Sequence, residues 1–246
     1  MEEIIWSADL AYVVGLITTD GNLSSDGRHL EFTSKDMDQL ETFKRILKLK
    51  NRIGWKTSGY SSKRYPHIQF GNVKLYRWLV QIGLMPNKSK RLGTLAVPDL
   101  YFFDFLRGCL DGDGNIFIYQ DSIFPNSQRL YISFASGSRP YLEWIHATTS
   151  RLLDTAGCIT LSSRAWRLKY AKRDSQLLLK AMYHQAEIPR LERKYRIAKD
   201  SFPSYCAEVM ELADMWSSEG HGESRRGSNP RLGTTFLLRD AALQTA

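Results

Sequence analysis

One short pattern occurs twice in this chain, and it constrains the fold more than any other sequence feature. The first copy reads Val-Val-Gly-Leu-Ile-Thr-Thr-Asp-Gly over residues 13–21, and the second reads Leu-Arg-Gly-Cys-Leu-Asp-Gly-Asp-Gly over residues 106–114. Each copy is an apolar, helix-like run that contains a glycine, ends in Asp-Gly and precedes an Asn and a strand-like segment. The copies lie about the length of one small domain apart. The repeat therefore predicts two similar halves, each contributing one carboxylate, Asp20 and Asp113.

Apolar periodicity and turn signals repeat in the same order in both halves. The predicted helices cover residues 6–19, 36–49 and 73–82, then 100–112, 140–153 and 174–183, and the predicted hairpins cover 22–34, 53–70, 115–136 and 158–170. The predicted fold class is therefore α+β, with two pseudo-symmetric αββαββα repeats over residues 1–98 and 99–203. Residues 204–246 include a stretch rich in Ser, Gly, Glu and Arg, which predicts a disordered tail.

Composition limits the cellular context and the partners. The 246 residues are 43% hydrophobic and carry a net charge of +8, which favours a nucleic-acid partner, with a basic protein that binds no polyanion as the alternative. The three cysteines lack Cys-x-x-Cys spacing, which argues against a disulfide framework and a zinc site. An acidic N-terminus and the lack of an apolar run of about 20 residues predict an intracellular protein, cytoplasmic or organellar, with no membrane partner.

The motif helices carry ridges of small residues at helical spacing. Ala11, Gly15 and Thr19 form one ridge, and Gly108 and Gly112 form the other, so the two helices can pack closely side by side. Parallel packing would bring the two aspartates together at the negative ends of the helix dipoles, which costs about 0.3–1 kcal/mol for each carboxylate. A hard divalent cation such as Mg²⁺ would compensate this charge and polarise a phosphodiester. The alternative is that Asp-Gly simply ends each helix.

With this paired motif, the chain resembles the LAGLIDADG homing endonucleases in their single-chain form with two fused repeats. The resemblance covers about residues 6–200 and implies that the motif helices form the interface and that two saddle-shaped antiparallel sheets lie in the DNA major groove. It implies that Asp20 and Asp113 ligate Mg²⁺ with help from the carbonyls of Thr19 and Gly112, and that Mn²⁺ or Ca²⁺ can occupy the same site. The implied protein is a monomeric, sequence-specific DNA endonuclease of intron homing, which hydrolyses one phosphodiester on each strand of a long asymmetric target.

Several positions depart from the family pattern or remain open. The earlier motif acid is Thr18 in the first copy and Asp111 in the second, and Arg107 replaces a small residue. The family often places a basic residue after the fourth strand, which implies a catalytic role for Lys74 and Lys172. Arg173 fits the second position equally well, and solvated lysines at a helix start are the alternative.

Strand residues that do not face the helices are predicted to contact DNA, because Arg, Lys, Asn and Gln pair with base edges in the major groove. In the first repeat these are Asn22, Ser24, Arg28, His29, Glu31, Thr33, Lys56, Ser58, Lys63, Arg64 and His67. In the second they are Asn115, Tyr119, Gln128, Arg129, Ser133, Arg164, Arg167 and Lys169. Two other functions use the same scaffold: an RNA-binding maturase that acts on intron RNA, and a catalytically inactive DNA-binding regulator.

Overall fold

Two apolar helices, α1 (Ala8–Asp20) and α4 (Phe102–Asp111), pack against each other at the centre of the computed structural model, which describes residues 4–57, 62–120 and 128–201. The α1 helix begins after Ser7, whose Oγ accepts a hydrogen bond from Leu10 N at 3.2 Å. All residues from 11 to 18 are buried, because this helix contacts other elements on every side. A helix that is apolar all round belongs in a core.

The same series of elements follows each central helix. After α1 come β1 (Gly21–Leu23), β2 (His29–Thr33), α2 (Met37–Ile46), β3 (Gly54–Thr57), β4 (Arg64–Gly71) and α3 (Val73–Gln81). After α4 come β5 (Asn115–Gln120), β6 (Gln128–Ser136), α5 (Arg139–Leu153), β7 (Cys158–Leu161), β8 (Trp166–Tyr170), α6 (Lys172–Met182) and α7 (Glu192–Asp200). The predicted αββαββα order is confirmed in both halves. Helix α7 is an addition that the sequence pattern does not predict.

Each half forms one four-stranded antiparallel sheet, and the two sheets have the same strand order. The orders are β1-β2-β4-β3 and β5-β6-β8-β7. Along the central strands, Leu30 and Phe32 of β2 and Leu130 and Ile132 of β6 are buried. These residues alternate with more polar ones, as expected for sheets that cover a core on one face only. The other face of each sheet is left open, which confirms the predicted fold class.

Some predictions concern residues outside the described ranges. Ser58 and the tail 204–246 lie there, and the division at residue 98 stays a prediction. Within the described ranges, no helix has the length and apolar character that a membrane crossing requires.

Candidate metal centre and nucleic-acid interface

Two glycines allow α1 and α4 to approach until their backbones touch. A Cβ added at Gly15 would lie 2.8 Å from Cys109 N and 2.9 Å from Gly108 Cα, and one added at Gly108 would overlap the carbonyl oxygen of Tyr12. Any larger residue at these positions would push the helices apart, because backbone atoms cannot rotate away as side chains do. The small-residue ridges predicted from the sequence therefore meet at Gly15 and Gly108.

This close packing brings Asp20 and Asp113 together at the ends of the two helices. A Cβ added at Gly112 would lie only 2.6 Å from Asp20 Oδ2, so the backbone of the second motif lies against the carboxylate of the first. Burial, and then the charge of Asp113, raise the pKa of Asp20 to about 7. Burial also raises the pKa of Asp113. Repulsion between two ionised carboxylates at this place is unfavourable unless a positive charge lies beside them.

A buried lysine from α7 closes the end of α4. Lys194 Nζ donates to the carbonyls of Leu110 at 2.6 Å, Asp111 at 2.9 Å, Gly112 at 2.9 Å and Gly114 at 2.7 Å. Burial lowers the pKa of Lys194 to about 8, although nearby carboxylates oppose the shift. Its ammonium group satisfies carbonyls that a helix end leaves without partners and places a positive charge beside the aspartates.

A second buried lysine performs the same task at the end of α1. Lys88, in a short 3-10 turn after α3, donates to the carbonyl of Gly21. Burial lowers its pKa, while Asp20 and Asp113 act in the opposite direction. Each motif helix thus ends against a lysine of its own half, a feature that the sequence analysis missed. The matched prolines gave no signal for these residues, because Lys88 lies two residues after Pro86 whereas Lys194 lies five residues after Pro189.

Asp111, the earlier acid of the second motif, is part of an internal hydrogen-bond network. Its carboxylate accepts from Leu191 N at 2.7 Å, from the Tyr12 hydroxyl at 2.9 Å and from the Tyr183 hydroxyl at 3.5 Å. Burial raises its pKa to about 6, and the Leu191 N–H is the largest opposing effect. Thr18, at the matching position, donates to the carbonyl of Val14 at 2.7 Å. This motif position serves the fold in both halves.

Arg107, which departs from the small residue of the family pattern, is a completely buried residue of α4. Its guanidinium donates to Asp104 Oδ1 at 2.9 Å, to the Met182 carbonyl at 2.6 Å and to the Pro189 carbonyl at 2.9 Å. These bonds fix both ends of the segment between α6 and α7. Arg107 therefore helps to position the helix that carries Lys194.

Two cavities adjoin the aspartates. The first cavity, of about 450 Å³, is lined by Asp20, Thr33, Ser34, Lys35, Asp36, Gln39, Tyr65, Asp111, Gly112, Asp113, Gly114, Asn115, Arg193 and Lys194. The second cavity, of about 100 Å³, is lined by Thr18, Thr19, Lys88, Ser89, Leu92, Asp113, Ala135, Ser136, Gly137 and Tyr141. Each cavity joins the motif end of one half to the strand end of the other. Asp113 lines both cavities, and Asp20 lines the first.

The residues at this centre fit a hard divalent cation. Two carboxylates supply anionic oxygen, and Mg²⁺ commonly uses one or two carboxylates while keeping water and phosphate as its other ligands. The Gly112 carbonyl already accepts from Lys194, but a carbonyl oxygen has a second lone pair. Thr19 immediately precedes Asp20 in the last turn of α1. Across the described ranges, no group of three or more His, Cys, Asp or Glu side chains is placed to hold a metal ion, at this centre or away from it, so an ion here would depend on two carboxylates together with carbonyl, water or phosphate oxygen.

Lys74 and Lys172 lie apart from this centre. They occupy the first turns of α3 and α6, are exposed, and line neither cavity. Arg173 donates to Asp174 Oδ1 at 3.2 Å. Their roles near the scissile phosphates stay predictions.

The register places many of the predicted DNA contacts on the open faces of the sheets. Those in paired positions that alternate with the buried residues are Asn22, His29, Glu31, Thr33, Lys56, His67, Asn115, Tyr119, Arg129, Ser133, Arg167 and Lys169. Lys56 Nζ donates to Glu31 Oε1 at 2.5 Å. Ser133 is only 6% exposed, so its hydroxyl is the least accessible of the set.

The other predicted contacts lie at strand ends or in turns. Arg64 and Gln128 are the first residues of β4 and β6. In the alternation of each strand they take positions on the side that faces the helices, although both side chains are exposed. Ser24, Arg28, Lys63 and Arg164 lie outside the strands. These six residues border the sheets and do not form the open faces.

An aromatic cluster on the second sheet was missed by the sequence analysis. The Tyr131 ring stacks at 5.3 Å on Phe117 and at 5.7 Å on Tyr119, and Lys169 Nζ lies 3.7 Å from its centroid. Phe117 pairs with Tyr131 across strands, which was not evident from alternation in either strand alone. The first sheet instead presents polar residues such as Glu31 and Gln69 on its open face.

Comparison with known structures supports the fold assignment. The homing endonuclease I-WcaI bound to its DNA recognition sequence superposes with a TM-score of 0.56 at 14% identity, covering 78% of this chain and 88% of that chain. I-DmoI in complex with DNA and Ca gives a TM-score of 0.52 at 15% identity, with 77% and 96% covered. Full-length DUF199/WhiA from T. maritima gives 0.51 at 14% identity, with 87% and 70% covered.

These comparisons define the class at the level of fold. The chain is an α+β protein with the homing endonuclease-like fold, shared by DNA endonucleases and by the LAGLIDADG domain of DUF199/WhiA. No protein-family model matches the sequence, and no curated protein matches it.

Proposed function

We propose that this protein is a metal-dependent, sequence-specific endonuclease that hydrolyses one phosphodiester on each strand of double-stranded DNA. The observation that carries the proposal is the convergence of Asp20 and Asp113 where the two central helices meet. Burial raises the pKa of both carboxylates, an arrangement that costs stability and serves no packing purpose. Sites that hold unfavourable charge in a cleft are typical of catalytic centres.

Mg²⁺ supplies charge for the phosphate oxygens and a bound water of lowered pKa when it occupies such a centre. Asp20 and Asp113 would hold the ion, with the Thr19 and Gly112 carbonyls beside them. Lys194 and Lys88 hold the helix ends that carry these groups. Their ammonium charges also act on Asp20 and Asp113 and would help to offset the negative charge of a phosphodiester in its transition state.

The open faces of the sheets are the proposed DNA-binding surface. Asn22, Lys56 and His67 on the first sheet and Arg167 and Lys169 on the second lie there. Side chains of these types can contact base edges and phosphates in a major groove that admits a β-ribbon. The different chemistry of the two sheets suits an asymmetric target read by a single chain.

The decisive experiment uses a duplex in which the DNA on either side of the gene is joined without interruption. Incubated with the protein and Mg²⁺, this duplex is expected to show a staggered double-strand break. Asp20→Asn and Asp113→Asn should each abolish the break and leave DNA binding largely intact. Asp200→Asn, an exposed carboxylate on α7, is the matched control and should cut normally.

Other outcomes would reassign the protein. Tight duplex binding without cleavage by the wild type would indicate a DNA-binding regulator on this scaffold. Binding only to the intron RNA would indicate a maturase. Full cleavage by Asp20→Asn would overturn the metal-site assignment.

A further inference from the structure

The two cavities beside the aspartates are related by the internal repeat but differ in size and lining. Ser34, directly after β2, and Ser136, the last residue of β6, occupy matching positions in the two halves. Ser34 lines the first cavity and Ser136 lines the second. The first cavity measures about 450 Å³ and the second about 100 Å³. Only the larger has room for a phosphodiester group together with several water molecules.

The first cavity contains a buried hydrogen-bond donor with no acceptor. Gln39 of α2 is 2% exposed and lines this cavity, and within the described residues its Nε2 has no hydrogen-bond partner. In this amide orientation, Ser34 Oγ accepts from Asp36 N at 3.1 Å and donates to Gln39 Oε1 at 2.6 Å. A buried donor without an acceptor costs about 1–3 kcal/mol, so an oxygen ligand entering the cavity would relieve this cost.

Three basic residues of the first cavity offset its acidic lining, so that with a cation at Asp20 and Asp113 the cavity would favour an anionic ligand. Arg193 donates to both carboxylate oxygens of Asp36, from Nε at 3.0 and 3.2 Å and from a terminal nitrogen at 2.9 Å. This bidentate pair neutralises Asp36, an acid that would otherwise repel phosphate. Lys35 and Lys194 add positive charge to the same lining.

The second cavity lacks these features. Five residues after Ser136, the position that matches Gln39 is Tyr141, whose hydroxyl is already engaged at 3.2 Å from Cys109 Sγ. Gly137 stands where the first half has Lys35. The aromatic ring fills space that the amide leaves open, and it offers no unpartnered donor.

We propose that the two strand-cutting positions are chemically unequal, that the strand held at the first cavity is cut first, and that Gln39 is a positioning residue for that cut. This inference rests on the proposed endonuclease function. Gln39 Nε2 would donate to a phosphate oxygen or to the attacking water and orient it beside Asp20 and Asp113. DNA nicked in one strand is then an intermediate that accumulates before the double-strand break.

The test follows both strands of the joined duplex, each labelled at its 5′ end with a different fluorophore, after Mg²⁺ is added. Wild-type protein is expected to cut one strand at least about tenfold faster than the other, since loss of one oriented donor commonly changes a rate by 10²–10³. Gln39→Leu should slow the faster strand by at least about tenfold and leave the slower strand unchanged. Gln39→Glu, which keeps the acceptor for Ser34 but removes the donor, should act in the same way.

Two controls separate positioning from a structural role. Gln39→Leu removes the unpartnered Nε2 donor together with the Oε1 acceptor of the Ser34 hydroxyl, two changes with opposite effects on stability, so its melting temperature should change little, whereas loss of a residue needed for folding would lower it clearly. Thr148→Val changes a buried hydroxyl of α5 that already donates to Trp144 at 2.9 Å and lines neither cavity. This control should keep the wild-type bias between the strands.

The outcomes distinguish this inference from the proposed function. A wild-type double-strand break with equal rates on the two strands would overturn the inequality and keep the endonuclease. A Gln39→Leu variant that slows both strands equally, or neither, would overturn the role of Gln39. A wild type that cuts neither strand would overturn both proposals.

Discussion

At the scale of single residues, Asp20 links the candidate metal centre to folding stability. Its pKa rises from the ordinary 3.8 to about 7 because the carboxyl is buried and faces Asp113. Between these two pH values the folded protein binds a proton that the unfolded chain releases. The contribution of this proton to the free energy of unfolding is therefore fully present below the pKa of Asp20 in the unfolded chain. It is lost as the pH rises through the pKa of Asp20 in the folded protein.

Asp20→Asn should consequently gain stability relative to wild type as the pH rises from 4 to 7, and the difference should level off above 7. Urea unfolding in the presence of a chelator measures this difference, with Asp200→Asn as the matched exposed control. Saturating Ca²⁺ at pH 8 should stabilise wild type by about 2.7 kcal/mol at a hundred times its dissociation constant and affect Asp20→Asn far less. Equal responses of the two proteins to Ca²⁺ would place the cation elsewhere.

At the scale of elements, the contact between α1 and α4 determines whether the aspartates meet. An added methyl group at Gly15 would overlap the Phe105 carbonyl oxygen, so Gly15→Ala should lower the free energy of unfolding by at least about 2 kcal/mol. Gly93→Ala is the matched control, because a Cβ there meets nothing within 4 Å, and its effect should stay within about 0.5 kcal/mol. Thermal unfolding of the two variants compares them directly, and equal melting temperatures would contradict the close packing.

Sequence periodicity was sufficient to predict the helices α1 and α4, because the spacing of apolar residues within one segment determines which face of a helix is buried. The repeated motif predicted the helix pair, and the small residues Gly15 and Gly108 marked their contact. Lys88 and Lys194 were not predictable in the same way, since each contacts its helix end from a segment distant in sequence, Lys88 from a short 3-10 turn and Lys194 from α7. The orphan donor of Gln39 also depends on tertiary packing, which no local pattern records.

At the scale of the whole molecule, the charge distribution determines how the protein meets nucleic acid. The chain carries a net charge of +8, and the second sheet presents Arg129, Arg167 and Lys169 on its open face. Because Glu31 accepts from Lys56 on the open face of the first sheet, the strand residues of the open face are more positively charged on the second sheet than on the first. The open face of the second sheet should therefore contribute more to the electrostatic attraction of phosphate than that of the first.

The salt dependence of DNA binding tests this distribution. If about six phosphates are neutralised, affinity for a duplex should fall about 10³-fold between 50 and 200 mM salt. Arg167→Gln, on the open face of β8, should make the slope of log affinity against log salt shallower by about 1. Arg77→Gln, an exposed arginine on helix α3, removes the same charge from the helical layer and should leave the slope unchanged. Equal slopes for the two variants would show that net charge alone, and not the open face of the second sheet, attracts the DNA.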